Sequence, residues 1–333
     1  MKACVDLGGT KIAVSLVAAG PGLAGPGEPP PALQARRSEA TAKTGPSDAV
    51  ARQILRMLDE ACTEAGVLAD DLQAIGVSSC GPFVLRDGLI ALAAPNICGG
   101  LAGPARGLPN DWTSAPLEAP LRERFAALGA ALRIENDGIG ALQAERRWGA
   151  LQGMDSCAYV TWSTGIGFGL CVDGHVLRGK HGNAGHAGHM FVSDSAAAGD
   201  ALCGCRNIGD VEGLVAGNAI ARRFAAAGHA DAALLLSAAQ AGEAGAVAIV
   251  DELCRVMGRT LYNLVITLDL QRISLGGSVF WHHRDYLLPR LQSHLRGRLP
   301  ALTDGVMLVP AGLGERVGDF GALALALDAQ AAA

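Results

Sequence analysis

Asp6-Leu7-Gly8-Gly9-Thr10-Lys11 lies at the junction of two apolar runs, residues 3–7 and 12–18. The runs read as β-strands and the glycine pair as the tight turn between them, so the chain opens with a hairpin. A Gly/Pro-rich surface loop is expected to follow at 20–31. The pattern returns in the second half of the chain. Residues 157–162 and 166–172 read as another strand–turn–strand, built around Ser163-Thr164-Gly165-Ile166-Gly167-Phe168-Gly169, and Asp173-Gly174 is a two-residue hairpin signal into a further strand. Two such units point to an internally duplicated, two-domain fold.

Beyond these units strands and helices alternate. A third strand is expected near 33–38 and a helix over 47–65, where Val50, Ile54, Leu55 and Leu58 recur at helical spacing. A buried strand follows from Leu72 to Ser78. Ile97 to Pro120, rich in Gly, Pro and Ala, reads as a connecting excursion before a helix at 121–128 and a strand at 131–135. Asp137 then takes the N-cap position of a helix carrying Ile139, Leu142 and Trp148. Helices are expected at 211–228 and 245–267, a strand at 272–275 ending in Gly276-Gly277-Ser278, a helix at 286–296, a strand at 306–309 and a closing helix from 315. The class is α/β or α+β with mixed sheets.

With 333 residues, 50% of them hydrophobic and 18% charged, the chain can bury a large core and has length for about two domains. Net charge is −5, and the 27 Lys and Arg residues form no basic block, so no nucleic-acid partner is expected. No stretch reaches the roughly 18 apolar residues that span a bilayer, and no signal segment precedes the first strand; a cytoplasmic protein with no membrane partner is expected. Seven of the nine cysteines (Cys4, Cys62, Cys80, Cys98, Cys157, Cys171, Cys254) are scattered among apolar neighbours and read as small buried hydrophobes.

Several stretches carry chemistry. Glycines after a strand let backbone N–H groups approach phosphate oxygens, while an aspartate at the strand end can hold Mg²⁺ through water; the same six residues also suit an ordinary hairpin turn. Glu135-Asn136-Asp137 sets a carboxylate beside a carboxamide at a helix start. That pair can take a hydroxyl proton and align an alcohol, or serve as a plain cap. Gly182-Asn183-Ala184-Gly185-His186-Ala187-Gly188-His189 is followed by Cys203-Gly204-Cys205 and Asp210-Val211-Glu212. One His, two Cys and a carboxylate can form a closed tetrahedral zinc site; the alternative is a glycine-rich loop with a fortuitous C-x-C.

In order along the chain, these elements resemble the ROK family of sugar kinases and repressors, within the actin-like ATPase (ribonuclease H-like) superfold. The motifs are D-x-G-G-T-K at 6–11, N-D at 136–137, S-T-G-I-G at 163–167, the tract ending at His189, the C-x-C run with Glu212, and Gly318–Gly321-Ala322. The resemblance implies a small N-terminal domain of residues 1–134 with the closing helix 315–333, a larger domain of 135–314, a sugar site in the cleft between them, and a homodimer. It makes Asp137 the catalytic base, with Asn136, His186, His189, Glu212 and Gly81 as further sugar contacts. Asp6, Gly8, Gly9, Thr10, Lys11, Thr164, Gly165, Gly276 and Gly277 are implied to bind Mg·ATP, and His189, Cys203 and Cys205 to bind structural Zn²⁺.

Three departures shape the expectation. Asp210 replaces the family's third zinc cysteine; a carboxylate oxygen is a known zinc ligand, so it completes a set of harder character. Phe168 interrupts the glycines of the second turn, where it either crowds the nucleotide or points into the core. His186 stands where many members have glutamate, and G-x-A-G-H-x-G-H resembles the tract of bacterial N-acetylmannosamine kinases. The function implied is phosphorylation of the C6 hydroxyl of N-acetylmannosamine. Glucokinase, N-acetylglucosamine kinase, fructokinase and a sugar-binding protein without catalysis are the alternatives. A ROK repressor would carry a DNA-binding segment ahead of the strand that here begins at residue 3.

Overall fold

The computed structural model describes residues 1–18, 28–102, 107–192 and 201–332. The loop expected at 20–31 lies largely outside these residues, as do 103–106 of the Ile97–Pro120 excursion. The chain forms two compact units, Met1–Gln152 with Arg178–Ala184 and Arg316–Ala333, and Gly153–Leu177 with Gly185–Glu315.

In the first unit β1 (Lys2–Leu7) pairs antiparallel with β2 (Lys11–Val17), and β2 with β3 (Gln34–Ala40). On its other side β1 runs parallel to β4 (Ala74–Ser79). A small antiparallel sheet follows, β5 (Phe83–Arg86), β6 (Leu89–Leu92) and β7 (Ala115–Pro116), and β8 (Leu132–Asn136) then lies parallel to β4. In the second unit β9 (Cys157–Trp162), β10 (Ile166–Val172) and β11 (His175–Val176) are antiparallel neighbours, and β12 (Arg272–Gly276) and β13 (Met307–Pro310) extend the sheet in parallel beyond β9. The orders are β3-β2-β1-β4-β8 and β11-β10-β9-β12-β13, with the same pairing sense at each step. The duplication read from the two glycine turns is therefore present in the backbone.

Burial explains the strands. β4 is buried at every residue and β1 at all but Asp6, as central strands covered on both faces must be, whereas edge strand β3 alternates between half-buried and exposed. The helix Ala49–Glu64 buries Val50, Ile54, Met57 and Leu58 against this sheet. The C-terminal helix Val317–Ala332 packs on β1, β4 and the helix Asp137–Trp148. That last contact keeps Asp137–Trp148 in the first unit, so the boundary falls after Gln152 and not at 134/135.

The helix expected over 211–228 is broken. Val211–Val215 stops at Ala216, which is extended (φ −64°, ψ 155°), and Gly217–Phe224 starts anew. The break lays the Gly217 amide on the Ser163 carbonyl at 2.8 Å. The helix Ala232–Gln240 and the small sheet were not anticipated, although Asp87-Gly88 between β5 and β6 has the positive φ values (51° and 79°) of the Asp173-Gly174 turn (50° and 77°). All nine cysteines are thiols, and the seven scattered ones are buried. No single helix among the described residues is long and apolar enough to cross a membrane.

Candidate active site

The first glycine turn closes where Gly8 N–H donates to the Lys11 carbonyl at 2.9 Å. Asp6 precedes it on β1. A Cβ at Gly318 would lie 2.6 Å from Asp6 Oδ2, so glycine there makes room for the carboxylate. The next residue, Asp319, is buried and accepts from Arg36 Nε at 2.9 Å. Burial, then Asp319, then Asp137 push the Asp6 carboxyl up to about 7, against the pull of Lys11 and Arg36. A carboxylate made hard to ionise by its like-charged neighbours is relieved by a bound cation. Asp319 was missed in the sequence because no local pattern distinguishes it within the Gly318–Gly321 run.

At the end of β8, Asn136 is the helix cap, one residue before the position expected for Asp137. Asn136 Oδ1 accepts from Gly138 N at 3.0 Å and its Nδ2 donates to Ser79 O at 3.4 Å. Asp137 is the first helical residue, half-buried, with Oδ1 2.9 Å from Gly138 N. Glu135 is buried, and its Oε1 accepts from Arg133 Nη2 and Arg178 Nε, each at 2.7 Å, which fixes the strand end ahead of the Asn136–Asp137 pair. Gly81 lies just past β4, before the cis Gly81–Pro82 bond.

The second unit holds the other glycine turn. Ser163 N–H donates to Gly165 O at 3.0 Å, and Ser163 Oγ lies 3.0 Å from Ser278 Oγ. Thr164 is exposed at the tip. Gly277 has φ +87°, and a Cβ there would meet Trp162 O at 2.5 Å, so conformation and space both require glycine. Phe168 is fully buried in the unit's hydrophobic core, the second of the two placements open to it in the sequence.

Glu212 Oε2 accepts from Ile166 N at 3.1 Å, and its Oε1 is 3.4 Å from Cys203 Sγ. This side chain therefore joins the glycine turn to the cysteine loop. Asp210 Oδ1 accepts from Gly213 N at 2.7 Å and caps the helix Val211–Val215; its Oδ2 is 3.1 Å from His189 Nδ1 and 3.4 Å from Cys205 Sγ. Cys203 Sγ is 3.6 Å from His189 Nδ1, and all four ligand atoms lie within 4.8 Å of one another. Zinc bonds of about 2.0–2.3 Å in a tetrahedron set ligand atoms roughly 3.3–3.8 Å apart. The observed separations straddle that range, so the residues fit a zinc ion.

Electrostatics favour a cation here. Burial, reinforced by Glu212 at Cys203, pushes both thiols up, so a positive charge is needed for them to ionise. Burial opposes ionisation of Asp210, but hydrogen bonds from His189 and Gly213 N outweigh it and hold the carboxyl down. The hydrogen bond to Asp210 pushes His189 up against its own burial. His186 stacks near His189, with ring centroids 6.1 Å apart. The histidine tract is divided between the units. Asn183, in the first, takes the Phe83 amide on Oδ1 and donates Nδ2 to the Phe83 carbonyl, both at 2.8 Å, while Gly185 to His189 belong to the second.

The family model described as the ROK family matches residues 2–329. The chain is 28% identical over 289 residues to a glucokinase of Aeropyrum pernix, covering 81% of this chain and 84% of that protein. It is 30% identical over 279 residues to an N-acetylmannosamine kinase of Citrobacter koseri, covering 83% and 82%. A solved ROK family glucokinase from Streptomyces griseus, in complex with glucose and AMPPNP, matches at 25% identity and a TM-score of 0.69 over 98% of both chains. The repeated five-strand order is that of the actin-like ATPase fold. With the model spanning nearly the whole sequence and the motifs in place on both units, this chain belongs to the ROK family.

Proposed function

We propose that this ROK-family sugar kinase transfers the γ-phosphoryl group of ATP to the C6 hydroxyl of N-acetylmannosamine. The observation that carries the choice of sugar is His186, beside His189, where many members have glutamate. A carboxylate only accepts hydrogen bonds, whereas neutral imidazole donates one and accepts one, which changes the hydroxyl and amide groups that can be satisfied. The Citrobacter koseri relative supports this sugar, and the Aeropyrum pernix relative supports glucose as the second reading. The complex with glucose and AMPPNP supports a sugar and a nucleotide as the two ligands.

In the mechanism, Asn136 and Asp137 take the reacting hydroxyl, and His186, His189, Glu212 and Gly81 take the rest of the sugar. Backbone amides of Gly8, Gly9, Thr10 and Lys11, with Thr164 and Gly165, receive phosphates, and Gly276-Gly277 borders the adenosine. Asp137 accepts the proton as the hydroxyl oxygen attacks the γ-phosphorus in line and ADP departs; positioning and charge neutralisation supply most of the rate. Mg²⁺ carried with ATP would be held at Asp6 and would offset phosphate charge. Zn²⁺ would be held by His189, Cys203, Cys205 and Asp210 and would brace the loop that carries Glu212.

A coupled ADP-release assay against N-acetylmannosamine, N-acetylglucosamine, glucose, mannose and fructose tests the assignment. N-acetylmannosamine should give the highest kcat/KM, and His186→Glu should move the ratio toward glucose by about tenfold or more. Turnover of another hexose alone discards this sugar, and binding without turnover of any sugar discards the kinase.

The pH profile tests Asp6. Ionised Asp6 is the form that serves Mg·ATP, so kcat/KM for the nucleotide should climb through a half-maximal value at a pH of about 7 and level off about a unit above it. Asp319→Asn removes a neighbouring negative charge and should move the inflection to lower pH. A wild-type profile that is flat across neutral pH removes Asp6 from the nucleotide step.

A further inference from the structure

The segment that follows β3 grips the first glycine turn from behind. Thr41 N–H donates to Thr10 O at 3.0 Å, Thr41 Oγ1 to Gly8 O at 2.8 Å, and Lys43 Nζ to Gly9 O at 2.5 Å. The same ammonium donates to the Asn96 carbonyl. Asn96 presses its side-chain amide on the turn, where a Cβ at Gly9 would lie 2.0 Å from Asn96 Nδ2. The gripping segment is itself fixed: Asn110 Nδ2 donates to Lys43 O at 2.9 Å, Trp112 Nε1 to Gly45 O at 3.3 Å, and Ala42 N to Gln53 Oε1 at 2.8 Å.

In a trans peptide unit the carbonyl and the following N–H point in opposite directions. Holding the Gly8 and Gly9 carbonyls from one side therefore aims the Gly9 and Thr10 amides to the other. Among the described residues those two amides donate to no backbone carbonyl. A run of amides aimed one way is an anion-binding concavity, and a cation on the far end of the peptide group polarises the N–H and adds positive potential beside the phosphate. A neutral donor at residue 43 would supply orientation with less of either.

We propose that Lys43 is a positioning residue for the nucleotide, acting through the Gly9 carbonyl to aim the Thr10 amide at a phosphate oxygen. The inference rests on the reading of this turn as a phosphate cradle. Its ligand is the phosphate chain of ATP; the sugar is not involved.

The test compares wild type with Lys43→Met, Lys43→Gln and Lys43→Arg. It measures KM for Mg·ATP and for the sugar, Mg·AMPPNP affinity by titration calorimetry, and Tm. In Lys43→Met, KM for Mg·ATP should rise about tenfold, with AMPPNP affinity falling in step and the sugar KM and Tm unchanged. Lys43→Arg should recover most of the loss and Lys43→Gln part of it. Unchanged AMPPNP affinity in Lys43→Met overturns the inference alone. A lowered Tm with both KM values unaltered and no rescue by arginine also overturns it, leaving a packing role. A wild-type protein that binds no Mg·AMPPNP overturns the phosphate-cradle reading, and the inference with it.

Discussion

Asp137→Asn should lower kcat by about a thousandfold, within the range that general-base catalysis contributes, while sugar affinity stays within about threefold of wild type. The structure separates the chemical effect from the structural one. Asn136, not Asp137, caps the helix Asp137–Trp148, so its start does not depend on the mutated side chain. An asparagine at 137 keeps the shape and the Oδ1 that lies 2.9 Å from Gly138 N; only proton acceptance and the charge are lost. Tm should therefore be unchanged. The control is Asn136→Ala, which removes the cap and should cost about 1 kcal/mol of stability. Because Asp137 is one of the charges that raise Asp6, the low-pH inflection in nucleotide kcat/KM should also move down in Asp137→Asn. A variant with near-normal turnover sinks the base assignment, and a lowered Tm with weakened sugar binding reassigns Asp137 to a structural role.

Local chemistry made the opening hairpin and the duplication of the fold legible in the sequence, and it singled out the glycine turns and the Asn136–Asp137 pair as candidates. Central strands buried on both faces must be continuous apolar runs, and turns that approach phosphate must be rich in glycine, so both announce themselves within a dozen or so residues. Features set by distant partners did not. The first-unit boundary depends on the helix Asp137–Trp148 meeting the C-terminal helix, and the break at Ala216 depends on Ser163 receiving the Gly217 amide. Asp319 reaches Asp6, and Lys43 reaches Gly9, only after the sheet has formed; neither sits in a pattern of its own. The Asp87-Gly88 hairpin was within reach of sequence reasoning, since it repeats the signal accepted at Asp173-Gly174. Phe168 shows the reverse case: sequence marked it as a departure, but only the packing says that it belongs to the core.

Asp210→Ala should be among the most destabilising single changes in the second unit, because one carboxylate performs two tasks through its two oxygens. Oδ1 caps the helix Val211–Val215 at Gly213, and Oδ2 faces His189 and Cys205 in the candidate metal cluster. Removing a buried, fully paired carboxylate costs about 3–5 kcal/mol, and metal content should fall with it. Two further substitutions divide the tasks. Asp210→Asn keeps an oxygen for the cap but offers a neutral, poorer ligand, so helix geometry should survive while zinc is weakened. Asp210→Cys supplies a softer thiolate for zinc and abandons the cap, which should keep the metal at a cost of about 1 kcal/mol. If zinc braces the loop, Cys should outlast Asn in thermal unfolding, and a chelator should reverse that order. If the cap and the His189 pair alone hold the loop, Asn, which keeps the cap and loses only the ion pair, should outlast Cys, Cys should resemble Ala, and the chelator should change nothing. Elemental analysis of wild type grown with zinc decides between these independently: a protein without the metal removes all four residues from the zinc assignment and leaves Asp210 as a helix cap with an ion-pair partner.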